Sequence, residues 1–166
     1  MEKQIRLSTR KLQGIVRCKN SGLIRIYPLN CGQLVLKGKK TLNVYSYLIE
    51  TEEKLILVNS GLSPIVRVNR REIRKIAKKV IDAKLEIGNS INDHLRRLGY
   101  KSEDIDLVVL TSAENYNVGG LEVLKSAKKI IYNGKCDKLL NKYRELKICK
   151  LDSELSLGNN KTLSIV

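Results

Sequence analysis

Phe and Trp are absent from this chain of 166 residues, and His and Met occur once each. Without the two large apolar aromatics, a core has to be assembled from Ile, Leu, Val and Tyr. A hydrophobic content of 42% in a chain this long is enough for one real core and a single domain over 1–166. A single imidazole, His94, excludes a metal centre built on several histidines. It falls in a helical pattern and reads as a helix surface or edge residue. The four cysteines, Cys18, Cys31, Cys136 and Cys149, form no C-x-x-C pair, which excludes the usual zinc and redox motifs. They read as reduced thiols.

Other signatures are missing too. The N-terminus MEKQIRLSTRK has no apolar h-region, and no apolar run approaches the ~20 residues that span a bilayer. A cytoplasmic protein without membrane contact is expected. There is no G-x-G-x-x-G, no G-x-x-x-x-G-K-[ST] and no G-x-S-x-G, so neither a nucleotide fold nor a serine-hydrolase elbow is indicated. Acidic residues are also scarce. Seventeen Asp and Glu face 32 Lys and Arg, a net charge of +15, and phosphate is the usual partner for such an excess.

What is present divides at about residue 40. Residues 1–40 are β-like and basic (IRLSTRKLQGIVRC, GLIRIYPL, GQLVLKG), with ten basic side chains against Glu2 alone. Over 41–166 a hairpin comes first, LNVYSYLIE–TEE–KLILVNSG, closed by Gly61 and Pro64. Residues 69–87 then carry Ile73, Ile76, Ala77 and Val80 at helical spacing, with Arg71, Arg74, Lys75, Lys78 and Lys79 opposite. This predicts an amphipathic helix. SINDHLRRLG predicts a second helix, with a Ser90–Asp93 capping box and Gly99 as its stop. A strand IDLVVLT, a short helix LEVLKSA, a strand KKIIYN, a helix KCDKLLNKYREL, a strand KICKL and a terminal hairpin with a Gly-Asn-Asn turn complete a mixed α/β, α+β-like order. Asp104 and Asp106 read as exposed loop acids. Gly119-Gly120 reads as a site of helix-to-sheet packing.

Three stretches in this order resemble the metallo-β-lactamase superfamily, with closest likeness to its N-acyl-homoserine lactone lactonase branch. YSYLIETEEKLILVNSGL at 45–62 resembles the opening hairpin, which in that family ends in an Asp-Thr-Gly-like turn. INDHLRRLGYKSEDIDLVVLTSAENYNVGG at 91–120 resembles the helix, loop and strand that deliver the metal motif T-H-x-H-x-D-H-x-G-G. KKIIYN at 128–133 falls where the next strand lies. The resemblance implies half of an αββα sandwich, a mixed sheet with helices on one face. With Thr111 and Gly119-Gly120 as anchors, the family's three His and its Asp fall on Ser112, Glu114, Asn117 and Tyr116, and its hairpin-end Asp on Asn59. In the family these positions bind one or two zinc ions. Here the ligands are replaced, so no cofactor and no catalysis are expected.

The resemblance covers the first half of the family's fold, and an isolated half leaves an apolar face to be covered. A second copy of this chain, a neighbouring protein, a repacked N-terminal segment or a ribonucleoprotein could cover it. A solvated helix face would interleave acids with its bases, yet 67–79 holds seven basic residues and Glu72 alone. Phosphate contacts are therefore expected from Arg6, Arg10, Lys11, Arg17, Lys19 and Arg25, and from the lysines at 37, 39 and 40. Further along they are expected from Arg67, Arg70, Arg71, Arg74, Lys75, Lys78 and Lys79. Without an RNP-like aromatic motif, shape recognition of structured RNA, most concretely rRNA in a ribosomal or ribosome-associated role, is favoured over base reading. Two other readings are a dimeric regulatory pseudoenzyme that binds a small ligand or protein, and a residual metal-independent hydrolase.

Overall fold

The computed structural model describes residues 3–5, 16–18, 25–132, 141–146, 148–150, 154–158 and 161–165. Its centre is the pairing of β3 (Arg25–Leu36) with β4 (Thr41–Glu50), antiparallel from Arg25↔Glu50 to Val35↔Thr41. The two β stretches at 22–29 and 32–38 thus merge into one strand, bent by an irregularity between Asn30 and Gln33. β4 returns as β5 (Leu55–Val58), the expected hairpin, through a turn in which the Thr51 hydroxyl accepts from Lys54 N–H at 2.8 Å. β5 pairs in parallel with β7 (Leu107–Leu110), β7 with β8 (Ile130–Tyr132), and β8 with β9 (Ile148–Lys150). On the opposite edge β6 (Val80–Lys84) pairs antiparallel with β3, giving the order β6-β3-β4-β5-β7-β8-β9.

The residue types explain this layout. LILV in β5 and LVVL in β7 are uninterrupted apolar runs, and every residue in them is buried. Such runs suit parallel strands covered on both faces. One apolar cluster gathers Leu48, Leu57, Val108 and Ile130 with Ile91 and Leu95; another gathers Leu34, Val44, Leu62, Val66 and Ile76. A second, four-stranded antiparallel sheet joins β1 (Lys3–Ile5), β2 (Val16–Cys18), β11 (Lys161–Ile165) and β10 (Glu154–Gly158), in that order. The expected terminal hairpin is β10–β11, and β11 continues onto β2.

The helix expected over 69–87 does not form. The α-helical part, α1, is one turn, Arg70–Ile73, capped by the Asn69 side chain on Arg71 N–H at 3.0 Å. The chain then turns and enters β6. Ile73, Ile76 and Val80 are buried as their pattern requires, but as the end of α1, a turn and the start of β6 rather than one helix face. Basic side chains that repel one another weaken a helix here, while the edge of β3 offers backbone partners from Gln33↔Lys84 to Leu36↔Val80. The second helix is present as α2 (Ile91–Arg97). Its capping box is complete, and Gly99 has φ 83°. The helix expected over LEVLKSA shrinks to a 3-10 turn at Gly119–Val123. The first half of KCDKLLNKYREL, 135–140, and the Asn-Asn of the last turn lie outside the described residues.

Asp106 corrects another expectation. It is no free surface acid: its carboxylate accepts from Leu55 N–H at 2.8 Å and pairs with Lys128 at 2.7 Å. Burial raises this carboxyl, but these two donors outweigh it and hold the pKa below the ordinary value. Asp104 caps its own turn by accepting from Lys101 N–H at 2.7 Å. Cys31 and Cys149 are free thiols, and burial pushes the Cys31 thiol up to about 11. No helix among the described residues is long and apolar enough to cross a membrane.

Candidate functional site at the ends of β5 and β7

Because β5 and β7 are parallel neighbours, the chain leaves both at the same end of the sheet. Asn59 follows β5 with φ 60°, a left-handed conformation that Asn tolerates better than most residues. Its N–H donates to Val109 C=O at 2.8 Å. Its side-chain oxygen accepts from Thr111 N–H at 3.0 Å, and the Thr111 hydroxyl lies 3.0 Å from Nδ2 and 3.1 Å from Oδ1.

The turn α3 (Asn115–Val118) closes over this loop. Ser60 donates twice to Asn117 C=O, from N–H at 2.7 Å and from Oγ at 3.1 Å. Asn117 Nδ2 donates to Ser112 Oγ at 2.8 Å, and Glu114 N–H donates to the same oxygen at 3.3 Å. Gly120 N–H reaches Gly61 C=O at 3.2 Å. A Cβ on Gly119 would stand 2.3 Å from Ser63 N, and one on Gly120 would stand 2.1 Å from Ser60 O. The glycine pair therefore lets a helical turn lie on loop backbone.

The structure brings Asn59 to Thr111 and Asn117 to Ser112, in two hydrogen-bonded sets that neighbour each other along the chain. Tyr116 turns to the second apolar cluster, where burial raises its phenol pKa, and Glu114 is exposed. Ser60 was missed by sequence reasoning, because a serine after a strand carries no signal of its partner 57 residues away. Both ring nitrogens of His94 are engaged elsewhere than at Ser112: Nε2–H donates to Asn30 C=O at 2.8 Å and Nδ1 accepts from Arg97 at 2.7 Å.

No family model and no curated protein matches the chain. Solved structures do. A B. thuringiensis AiiA variant with N-decanoyl-L-homoserine bound at its active site aligns at a TM-score of 0.64 and 19% identity, over 82% of this chain and 63% of that one. The fold is that of the metallo-β-lactamases. An N-acyl homoserine lactone hydrolase with N-hexanoyl-L-homoserine at its catalytic metal centre aligns at 0.62 and 19%, over 84% and 63%. AidC, a dizinc quorum-quenching lactonase, aligns at 0.56 and 13%, over 89% and 64%. The chain thus spans less than two thirds of the length of these metallo-β-lactamase-fold proteins. Identity at this level carries the fold and not the activity.

The metallo-β-lactamase fold implies zinc, which takes imidazole, thiolate or carboxylate donors. The five positions that the sequence resemblance matches to metal ligands offer two amides, a hydroxyl, a phenol and one exposed carboxylate. Asn59 Oδ1 already accepts from Thr111, and Ser112 Oγ already accepts from two N–H groups. This donor set does not fit zinc. Among the described residues, no group of three or more His, Cys, Asp or Glu is placed to hold a metal.

The basic residues divide into two kinds. Arg67 is a brace, donating to Leu85 C=O at 3.0 Å and Glu86 C=O at 2.7 Å and meeting Asp93 at 3.4 Å. Arg25 pairs with Glu50, Arg70 with Asp82, and Lys75 with Glu72. Lys37, Lys39, Lys40, Lys78 and Lys79 are exposed, as are Arg71 and Arg74. None of these seven has an ion pair among the described residues. Lys37 N–H donates to Lys79 C=O at 3.0 Å, so the β3–β4 turn and the turn before β6 adjoin. Arg6, Arg10, Lys11 and Lys19 lie outside the described residues. The Arg17 backbone belongs to β2.

Proposed function

We propose that this metallo-β-lactamase-fold protein is metal-free and non-catalytic, and that it binds structured RNA through phosphate contacts as a ribosomal or ribosome-associated subunit. The observation that carries the reading is the Lys37–Lys79 backbone bond. It joins two basic turns far apart in sequence into one cluster of five unpaired, exposed lysines. Crowded like charges destabilise the folded chain unless an anion lies against them, and a phosphate backbone supplies several at regular spacing. Lysines recognise phosphate as point charges, which suits shape recognition rather than base reading.

The test is sedimentation of native extract on a sucrose gradient, with salt-dependent binding of the purified protein to rRNA. Travel with ribosomal particles, and affinity that falls steeply with salt, are the expected results. A protein that stays at the top of the gradient and binds no RNA at moderate salt overturns the reading.

A further inference from the structure

A cleft of about 470 Å³ lies between the loop after β5, the segment following α1, the 3-10 turn at Gly119–Val123 and residues 142–143. That volume suits a small molecule. Leu62, Val66 and Ile76, all nearly inaccessible, line it with Gly119. Two ion pairs stand in the rest of the lining, beside Ser63, Ile65, Asn115 and Tyr143. Glu72 pairs with Lys75 at 2.6 Å, and Glu122 with Lys142 at 3.4 Å. The two ammonium side chains are 64% and 53% exposed, which places them at the rim above an apolar floor. Tyr143 is buried beside them, its hydroxyl 3.5 Å from Lys142 Nζ and its ring 5.1 Å below the same atom. Burial first, then Glu122 and Glu72, push the Tyr143 phenol up against the opposing pull of Lys142, so it remains a neutral hydrogen-bond donor.

Two carboxylates and two ammoniums make this lining neutral in a protein of net charge +15. A phosphate chain gains little here, since Glu72 and Glu122 oppose it. None of the five positions matched to metal ligands lines the cleft; Asn115 and Gly119 of the same turn do. A ligand with one charge would open an ion pair and leave the other member unmatched as the site desolvates. A ligand with both charges gives each member a new partner. The Glu122–Lys142 pair, long at 3.4 Å, is the easier of the two to open.

From this geometry we infer that the cleft binds a small zwitterion with an apolar body, its carboxylate on Lys142 and Tyr143, its ammonium on Glu122 and Glu72, and its apolar part on Leu62, Val66 and Ile76. Free amino acids and short peptides share this chemistry. The inference does not depend on RNA binding, because none of the lysines at 37, 39, 40, 78 and 79 lines the cleft.

The experiment is backbone-amide NMR of the whole ¹⁵N-labelled chain, titrated with L-leucine and with L-leucyl-L-leucine. N-acetyl-L-leucine, which keeps only the carboxylate, and L-leucinamide, which keeps only the ammonium, serve as single-charge controls. Saturable shifts at Ser63, Asn115, Gly119 and Glu122 are expected from a zwitterion, with both controls weaker by about tenfold or more. Saturation by leucine identifies an amino acid as the occupant, and saturation by the dipeptide alone identifies a peptide. Lys142→Met, a change at an exposed side chain, is expected to weaken zwitterion binding by a similar factor. Absence of saturable shifts from both zwitterions overturns the inference. So does a control that binds as tightly, or an unchanged affinity in Lys142→Met.

Discussion

Asn59 and Thr111 clasp the ends of two parallel strands: the Asn59 side-chain oxygen accepts from Thr111 N–H at 3.0 Å, and Nδ2 reaches the Thr111 hydroxyl at 3.0 Å. One of these positions matches a metal-ligand position of the resembling hydrolases, and the other anchors their motif. Here an amide and a hydroxyl hold the strand ends together. Replacing Asn59 by Gly keeps the left-handed backbone but leaves Thr111 N–H unpaired, an expected loss of about 1–3 kcal/mol. Asn59→Ala adds the strain of a Cβ at positive φ, about 1 kcal/mol more. Urea denaturation of both variants measures the difference; a Gly variant as stable as the parent shows that the clasp contributes nothing.

Gly119 and Gly120 are expected to tolerate no side chain. A Cβ would lie 2.3 Å from Ser63 N or 2.1 Å from Ser60 O, and both neighbours are backbone atoms that cannot swing away. Gly119→Ala and Gly120→Ala should each cost more than about 3 kcal/mol or prevent folding. Gly99→Ala is the comparison. Its Cβ meets nothing within 4 Å, and only its φ of 83° is strained, so about 1 kcal/mol is expected. Thermal melts followed by circular dichroism rank the three.

His94 should make stability fall on mild acidification. Burial lowers its pKa first, the Asn30 carbonyl and Asp93 raise it, Arg97 lowers it, and the net shift is downward. The folded protein therefore holds neutral imidazole, while the unfolded chain takes up a proton near pH ~6.5. The stabilisation is complete above that pH and is lost as pH falls through the lower folded-state value. Urea midpoints between about pH 5 and 8 should decline toward acid, and His94→Gln should flatten the slope. An identical slope in both proteins assigns the decline to other groups.

Asp106 works at lower pH. Its folded pKa lies below the ordinary carboxylate value, so its stabilisation is present above about pH 4 and lost as pH falls further. Asp106→Asn keeps an acceptor for Leu55 N–H but loses the charge opposite Lys128. The expected cost at neutral pH is about 1 kcal/mol, shrinking as acid removes the same charge from the parent. Paired denaturation curves at neutral and acid pH read both values.

The lysine cluster predicts a local effect on RNA affinity. Lys37→Glu combined with Lys79→Glu should weaken rRNA binding by about tenfold or more and reduce the salt slope by about 1 per lost contact. Lys125→Glu, an exposed charge outside the cluster, should change affinity by less than about twofold. Equal losses from both changes point to net charge rather than to a site.

Local patterns alone determined several features. The hairpin of β4 and β5, the buried strand β7 and the capping box of α2 follow from alternation, uninterrupted apolar runs and short-range hydrogen bonding. The net charge is a fact of composition, as is the absence of any His, Cys or Asp at positions 59, 112, 114, 116 and 117, where Glu114 is the one carboxylate. Tertiary structure decided the rest. Ile73, Ile76 and Val80 are buried as their spacing announces, yet β3 draws Val80–Lys84 into a strand, because paired backbone at a sheet edge outweighs weak helical propensity. Only folding placed Lys37 against Lys79, Ser60 under Asn117, and Glu72 in one cleft with Lys142. Contacts between residues tens of positions apart leave no local periodicity, and the sheet alone sets which strand ends meet.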